Sequence, residues 1–292
     1  METQLLATFA AVARLGSFSA AAERLGYTQS AVSQQIATLE TDLGVTLLTR
    51  RPVAPTEAGA RLLEHAEPLL LRVRAARADV LRLTRPPSLV RLAATPLAVD
   101  PVRLPVGTLA LTVTGAAEAA GMVAAGQADL ALVDGVAAPS DPLPQPEVGP
   151  LTALGVREES LVVAMPATHP LAGRLAIGLA SLLDAVWVEA PGVCGPLSRL
   201  RQAAGLDGFR VGVRYDGHDV RALLGLVAAG HGLAVLPASV AGPGAAGGGA
   251  WPAGAGIASV TVGAPRLVHR VELLHGALAP GPAADLTATL TT

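Results

Sequence analysis

A cluster of side chains near the start of the chain has the types needed to read a nucleic acid. Gln29, Ser30, Ser33, Gln34 and Thr38 recur at spacings that fall on one face of a helix. Glutamine can bond an adenine edge through two contacts, and serine serves donor or acceptor sites equally. Arg50 and Arg51 follow in a segment with turn residues, where a guanidinium can meet phosphates or reach a minor groove. A second cluster is scattered further along. Thr95, Asp134, the stretch from Glu189 to Cys194, and Asp216 with His218 each follow a strand-like run or precede a helix-like one. Small ligands of open sheets bind at such positions, outside the carboxyl ends of strands where helix N-termini converge. Catalytic constellations are not evident. His65, His169, His218, His231, His269 and His275 lack metal-ligand spacing, and neither a G-x-S-x-G elbow nor a phosphate-loop lysine occurs. Cys194, the one cysteine, has no resolving partner in the chain for a thiol sensor and reads more simply as a quiet small residue.

The elements that must position these groups follow from periodicity and caps. Leu5, Phe9, Val12 and Ala13 lie on one face of a helix from Glu2 to Leu15, stopped by Gly16. Ser17 and Ser19 offer N-cap hydroxyls to a helix from Ala20 to Leu25, and Gly26-Tyr27 turns the chain. Thr28 caps a third helix, Gln29 to Asp42, whose inner face is Val32, Ile36, Leu39 and Leu43. Helix, tight turn and helix with an uncharged polar outer face is the helix-turn-helix pattern. Spacing alone leaves open an ordinary solvated face. The run Leu47 to Pro55 predicts a short hairpin carrying Arg50 and Arg51. Thr56 then caps a long helix to about Leu83, with a heptad seam of Leu62, Ala66, Leu69, Val73, Ala76, Val80 and Leu83. Arg61, Arg72, Arg74, Arg77 and Arg82 lie off the seam, and Pro68 threatens a kink. The seam fits a paired, dimerising helix or one packed along its own domain.

Beyond the breaker Arg85-Pro86-Pro87-Ser88 the pattern changes to strand-helix alternation. Strands are expected at Leu89–Ala93, Leu109–Val113, Leu130–Val133, Leu161–Met165, Val186–Val188, Phe209–Tyr215, Leu233–Leu236, Ala258–Val262 and Leu267–Leu274. Helices are expected at Ala116–Ala125, Leu179–Asp184, Pro196–Ala204 and Asp219–Ala229. This predicts an α/β domain with mainly parallel strands. The Gly/Ala/Pro-rich stretch from Ala241 to Gly256 reads as a loop.

Bulk numbers agree. The 292 residues suit a small module plus a larger one, and 51% hydrophobic content supports a sizeable core. No apolar run is long enough for a membrane span, and the acidic, helical-period start is not a signal peptide. One cysteine permits no internal disulfide, so a cytoplasmic location is expected. Residues 1–85 are mildly basic and the remainder mildly acidic, within a net charge of -2. Every basic residue is arginine, which is read first as a coding bias.

The string Gly16-Ser17-Phe18-Ser19-Ala20-Ala21-Ala22, Leu25, Thr28 to Ile36, Leu39-Glu40, Leu43-Gly44, Leu47-Leu48 and Arg50, closed by Thr56-Glu57-Ala58-Gly59, closely resembles the signature of LysR-type transcriptional regulators. Thr168-His169-Pro170-Leu171-Ala172, Gly126 to Leu132, and Val227 to Pro237 resemble motifs of that family's effector domain. The resemblance implies an α+β multidomain chain. Its parts are a winged helix-turn-helix over 1–59, a linker helix over 60–86 and a two-lobed, periplasmic-binding-protein-like α/β effector domain over 87–292. Lobe I would hold about 87–160 and 268–292, lobe II about 161–267. It implies a regulator binding double-stranded DNA at an interrupted inverted repeat, without a cofactor, as a homodimer or homotetramer. A small-molecule effector would sit in the cleft near Thr95, Asp134, Glu189, Cys194, Asp216 and His218. Two departures stand out. The wing is about two residues short with Leu48 in place of phenylalanine, and Thr95 to Thr108, with Pro96, Pro101 and Pro105, leaves no room for the family's first effector-domain helix. An effector-independent regulator therefore stays open as an alternative. A ligand-binding protein or enzyme, with the N-terminal unit serving only to dimerise, is a more distant one.

Overall fold

The protein is described by a computed structural model covering residues 2–84, 89–99, 104, 109–144, 151–241 and 256–291. The 85–88 breaker, Pro101, Pro105, the glycine-rich 242–255 stretch, and the side chains of Arg82 and Leu83 lie outside the described residues. The chain separates into two compact units, one over residues 1–77 and one over most of the remainder.

In the first unit α1 (Thr3–Leu15), α2 (Phe18–Leu25) and α3 (Gln29–Leu43) precede a hairpin of β1 (Leu48–Arg50) and β2 (Val53–Pro55), then α4 (Glu57–Thr84). Gly16, Gly26 and Gly44 end the three short helices in the left-handed conformation. Ser17 Oγ accepts from Ala20 N, and Thr28 Oγ1 from Ala31 N, so both expected caps operate. Ser19 lies inside α2, which starts earlier than expected because Phe18 belongs to the core. That core gathers Phe9, Val12, Phe18, Val32, Ile36 and Leu39 with Leu47 and Leu48 of the hairpin. Each fully buried large side chain contributes about 1.5–3 kcal/mol.

The heptad seam on α4 divides. Leu62 and Ala66 pack beside Leu6 and Ala10 of α1, joined by the off-seam Leu70. Leu69, Val73 and Val80 are exposed, as is Ala76. The helix passes Pro68 without interruption.

The second unit holds β3 (Val90–Ala94), β4 (Leu109–Val113), α5 (Ala116–Ala124), β5 (Leu130–Ala137), β6 (Thr152–Pro166), β7 (Ala176–Gly178) and β8 (Val186–Glu189). It continues with α6 (Leu197–Ala204), β9 (Arg210–Arg214), α7 (Val220–Ala228), β10 (Ala234–Pro237), α8 (Ala238–Ala241), β11 (Ile257–Ala264), β12 (Val268–His275) and α9 (Pro282–Thr291). The larger sheet runs β4-β3-β5-β12-β6-β11-β7, with β10 also on β6, and β8 pairs separately with β9.

The expectation of mainly parallel strands is corrected. β3 is parallel to β4 and β5, but β12 is antiparallel to both β5 and β6, and β10 and β11 are antiparallel to β6. Two long strands cause the difference. The first half of β6 (152–160) pairs with β12, and the second half (161–166) with β10 and β11. β6 thus bridges two groups of elements, here called lobes. Its first half has no apolar run and is largely solvent-accessible, so hydrophobic patterning revealed only Leu161–Met165. The expected helix Leu179–Asp184 is a single 3-10 turn, Leu179–Leu182, because too few residues separate Gly178 from β8 for an α-helix to nucleate. Asp129, within the Gly126–Leu132 motif, is buried and takes a two-pronged ion pair from Arg91 with Nη2 at 2.8 Å, pinning the strand entry to β3.

Candidate functional site

On α3, Gln29, Ser30, Gln34 and Thr38 are exposed and Ser33 is half-buried; Ser30, Gln34 and Thr38 lie on the face opposite Val32, Ile36 and Leu39, with Gln29 and Ser33 on its flank. The helix has no acidic residue in its first turn, so its positive N-terminal end is uncompensated. Thr38 differs from the others: its hydroxyl donates to Gln34 O at 2.9 Å, which leaves it only acceptor capacity outward. Ser30 Oγ lies 3.0 Å from Thr28 Oγ1, so the capping hydroxyl also orients the serine. Gln35, one residue from this face, is instead tied inward, its Oε1 accepting from the buried Thr8 hydroxyl at 2.5 Å.

The hairpin is fastened to α3 by a carboxylate. Glu40 Oε1 accepts from Leu47 N at 2.8 Å and Leu48 N at 3.2 Å. Thr56 donates to Thr46 O at 2.8 Å, and a Cβ at Gly59 would stand 2.0 Å from Leu47 O, so glycine is needed for this approach. Arg50 and Arg51 consequently differ. The Arg50 guanidinium sits 4.8 Å from the Phe18 ring centre and 3.8 Å from Glu40 Oε2, so it partly serves the domain itself. Arg51 is exposed at the hairpin turn.

In the second unit a cavity of about 330 Å³ opens where β3, β5, α5 and the loop before α6 meet. Thr95, Asp134 and Cys194 line it, as expected from sequence. Glu189, Asp216 and His218 do not. The Glu189 carboxylate is turned to the start of α6, accepting from Leu197 N at 3.3 Å. Asp216 pairs with Arg214 at 2.9 Å in solvent. His218 is exposed, its ring beside Gly192, which itself lines the cavity. Strand-end placement located the region, but Glu189 and Asp216 are engaged by Leu197 N and Arg214 outside the lining. Glu118 and Arg199 line the cavity and were not anticipated. Both are the first charged residue of a helix that follows a strand, a signal that could have marked them.

Behind the lining lies a buried polar chain. Asp134 Oδ1 accepts from the Thr95 hydroxyl, and Asp134 Oδ2 faces His269 Nε2 at 2.8 Å. His269 Nδ1 lies 3.5 Å from Glu159 Oε1, and Glu159 Oε2 accepts from Ser239 N at 2.9 Å. Burial works against a charge on His269, but hydrogen bonds and charges from Asp134 and Glu159 outweigh it and hold its pKa above the ordinary value. Burial likewise opposes ionisation of Glu159, yet bonds from His269 and Ser239 bring it down to about 2. Cys194 behaves oppositely: burial, then the Asp134 charge, pushes its thiol up to about 12. A thiol held protonated is a poor nucleophile. Among the described residues no cluster of His, Cys, Asp and Glu could hold a metal ion, and no helix is long and apolar enough to cross a membrane.

Fold and site together define a class: a helix-turn-helix unit followed by a two-lobed α/β unit with a cleft. Comparison with known proteins gives the family. Residues 3–60 match the model of the bacterial regulatory helix-turn-helix protein, lysR family, and residues 103–250, about half the chain, match the LysR substrate binding domain. The chain belongs to the LysR family. Its first 87-residue match among curated proteins is 47% identical to the HTH-type transcriptional regulator HdfR of Escherichia coli, covering 29% of this chain and 31% of that one. HdfR of Escherichia fergusonii matches equally. These matches thus span less than a third of the relatives' length. Among solved structures, a full-length OxyR variant from Pseudomonas aeruginosa has a TM-score of 0.53 at 19% identity, covering 100% of this chain and 93% of that one. CbnR, a LysR family transcriptional regulator, has a TM-score of 0.53 at 23% identity, covering 99% and 98%. CbnR complexed with its target DNA has 0.51 at 24%, with the same coverage. At these identities the likeness shows the fold.

Proposed function

We propose that this chain is a sequence-specific, DNA-binding transcription regulator whose operator binding is modulated by a small molecule in the second unit's cleft. The observation that carries the reading is the outer face of α3: uncharged hydrogen-bonding side chains, at the open positive end of a helix held rigid by its cap and core. Gln29, Ser30, Ser33 and Gln34 read base edges, and Thr38 contributes an acceptor. Arg51 meets phosphate, with Arg50 bracing the hairpin against Phe18 and adding charge. The relatives support this: HdfR is named a transcriptional regulator, and CbnR has been captured with its target DNA.

The working division is 1–59 for DNA, 60–86 for dimerisation and 87–292 for the effector, with the lobes meeting near 160 and 268. Exposed Leu69, Val73, Ala76 and Val80 keep heptad spacing on α4 and offer a second copy an apolar stripe. Two copies related by a two-fold axis read an interrupted inverted repeat, and pairs of dimers give the tetramer. The protein acts in the cytoplasm and is not an enzyme. The cavity volume and its mixed lining favour an effector over an effector-free regulator. Footprinting of the chain on its own promoter region tests the reading. A protected inverted repeat that disappears in Gln29→Ala supports it; an unchanged footprint in that variant removes Gln29 from the base readers.

A further inference from the structure

The cavity of about 330 Å³ has two unlike walls. The polar side chains of the first wall offer only acceptors. Thr95, just past the end of β3, gives its hydroxyl proton to Asp134 Oδ1, and Asp134 Oδ2 faces His269 Nε2 at 2.8 Å. Thr114, just past the end of β4, gives its proton to Glu118 Oε2. Asp134 and Glu118 line the cavity, and each keeps lone pairs free, because a carboxylate can accept about four hydrogen bonds. Behind this wall the charges balance: His269 and Arg157 answer Asp134 and Glu159. Glu118 is different. Among the described residues it has no cationic partner, only the Thr114 hydroxyl. It stands in the first turn of α5, whose positive end answers only about half of a unit charge. The first wall therefore stays negative.

The second wall has the opposite character. Arg199, in the first turn of α6, lines the cavity with a guanidinium that can only donate. Among the described residues no carboxylate pairs with it. The nearby Glu189 accepts from Leu197 N at 3.3 Å, and the Cys194 thiol donates to Ala190 O at 3.7 Å. Between the two walls the lining is largely apolar, with Ala117, Val193 and Leu200.

We propose that the cavity takes a small zwitterion, an amino carboxylate whose ammonium is held by Glu118 and Asp134 and whose carboxylate is held by Arg199. The proposal rests on reading the cavity as the effector cleft, and it names the ligand class of that site. Other classes leave a charge unanswered. A plain carboxylate would satisfy Arg199 but set its remaining surface against Glu118 and Asp134. A plain amine would satisfy the carboxylates and leave the guanidinium without a partner. An uncharged apolar molecule would strip water from all three groups and return no hydrogen bond. A zwitterion meets acceptors with its three N–H donors and donors with its carboxylate, and both contacts are charge-assisted. The volume lies at the small end of the range for ligand pockets, which suits a compact molecule.

The test screens the full chain by thermal shift and measures the affinities of the hits by titration calorimetry. The probes are the common L-α-amino acids, β-alanine and 4-aminobutanoate, each beside the amine that lacks its carboxylate and the acid that lacks its amino group. At least one zwitterion should bind, with its amine and its acid each about tenfold weaker. Glu118→Gln should weaken that zwitterion about tenfold and leave the acid unchanged. Arg199→Gln should weaken it about tenfold and leave the amine unchanged. Both side chains are exposed, so neither substitution endangers the fold. A merely structural role for either residue would move the melting temperature without this crossed selectivity, and that result overturns the proposal. An acid or an amine that matches the zwitterion, or no binding from any of the three sets, also overturns it and leaves the cleft reading standing. A zwitterion that shows the crossed pattern yet leaves affinity for the footprinted promoter duplex unchanged supports the proposal and refutes the effector reading alone.

Discussion

The two units carry their chemistry in opposite ways. The first presents uncharged polar groups outward from a single helix, and most of its charged side chains, Arg14, Arg51 and Arg61 among them, stand exposed. The second buries one group of titratable side chains, and Asp134, Glu159 and His269 come together from strands 25 and 110 residues apart. A surface built for a partner needs local periodicity, because one rigid helix can hold every contact. A buried network needs tertiary assembly, because burying a charge costs free energy unless an opposite charge arrives from elsewhere in the chain.

Variants can break that contrast, beginning with the largest expected effect. Ile36→Ala, behind the polar outer face of α3, should cost about 2–5 kcal/mol of stability and weaken any DNA binding only by unfolding the unit, read by thermal denaturation. Gln29→Ala should leave the melting temperature unchanged yet cost about 1–3 kcal/mol in operator affinity with relaxed sequence preference, read by fluorescence anisotropy. Thr28→Ala, which removes the cap hydroxyl, should cost about 1 kcal/mol of stability. Arg51→Ala should weaken all duplexes alike and reduce the salt slope by about 1, with no loss of preference.

The second unit should respond to pH instead. Glu159 is depressed in the folded protein, so its stabilisation is present above the ordinary carboxylate range and is lost as pH falls towards about 2. His269 is raised, so its contribution is present below the ordinary histidine range and is lost as pH rises through the elevated value. Wild-type protein should therefore lose melting temperature more steeply than Glu159→Gln on acidification, and more steeply than His269→Gln on raising the pH. Parallel curves would place these groups outside the energetics of the fold.

The same contrast explains what was legible in the sequence. Thr28, Gly26 and Gly44, with the Val32-Ile36-Leu39 repeat, announced α3 to within one residue, because caps and periodicity act locally. The hairpin and α4 were legible for the same reason. The seam on α4 was only half right, since periodicity cannot say which partner covers a face: α1 covers Ala66, while Val73 stays open. In the second unit Thr95, Asp134 and Cys194 were found from strand ends alone. Glu189, Asp216 and His218 also stand at strand ends, but they are not in the cavity lining, Glu189 accepting from Leu197 N and Asp216 pairing with Arg214. Glu159 and His269 gave no local sign, since nothing in TALGVREES or LVHRVEL shows that the two strands pair. The antiparallel crossing that joins them overrode the parallel α/β expectation.

Selection from a random duplex pool at moderate salt tests the central claim most directly, because it asks the α3 face for a sequence without presuming one. The account predicts enrichment of an interrupted inverted repeat by the wild-type chain and loss of its defining base positions with Gln29→Ala. Recovery of no common sequence over random competitor would contradict it.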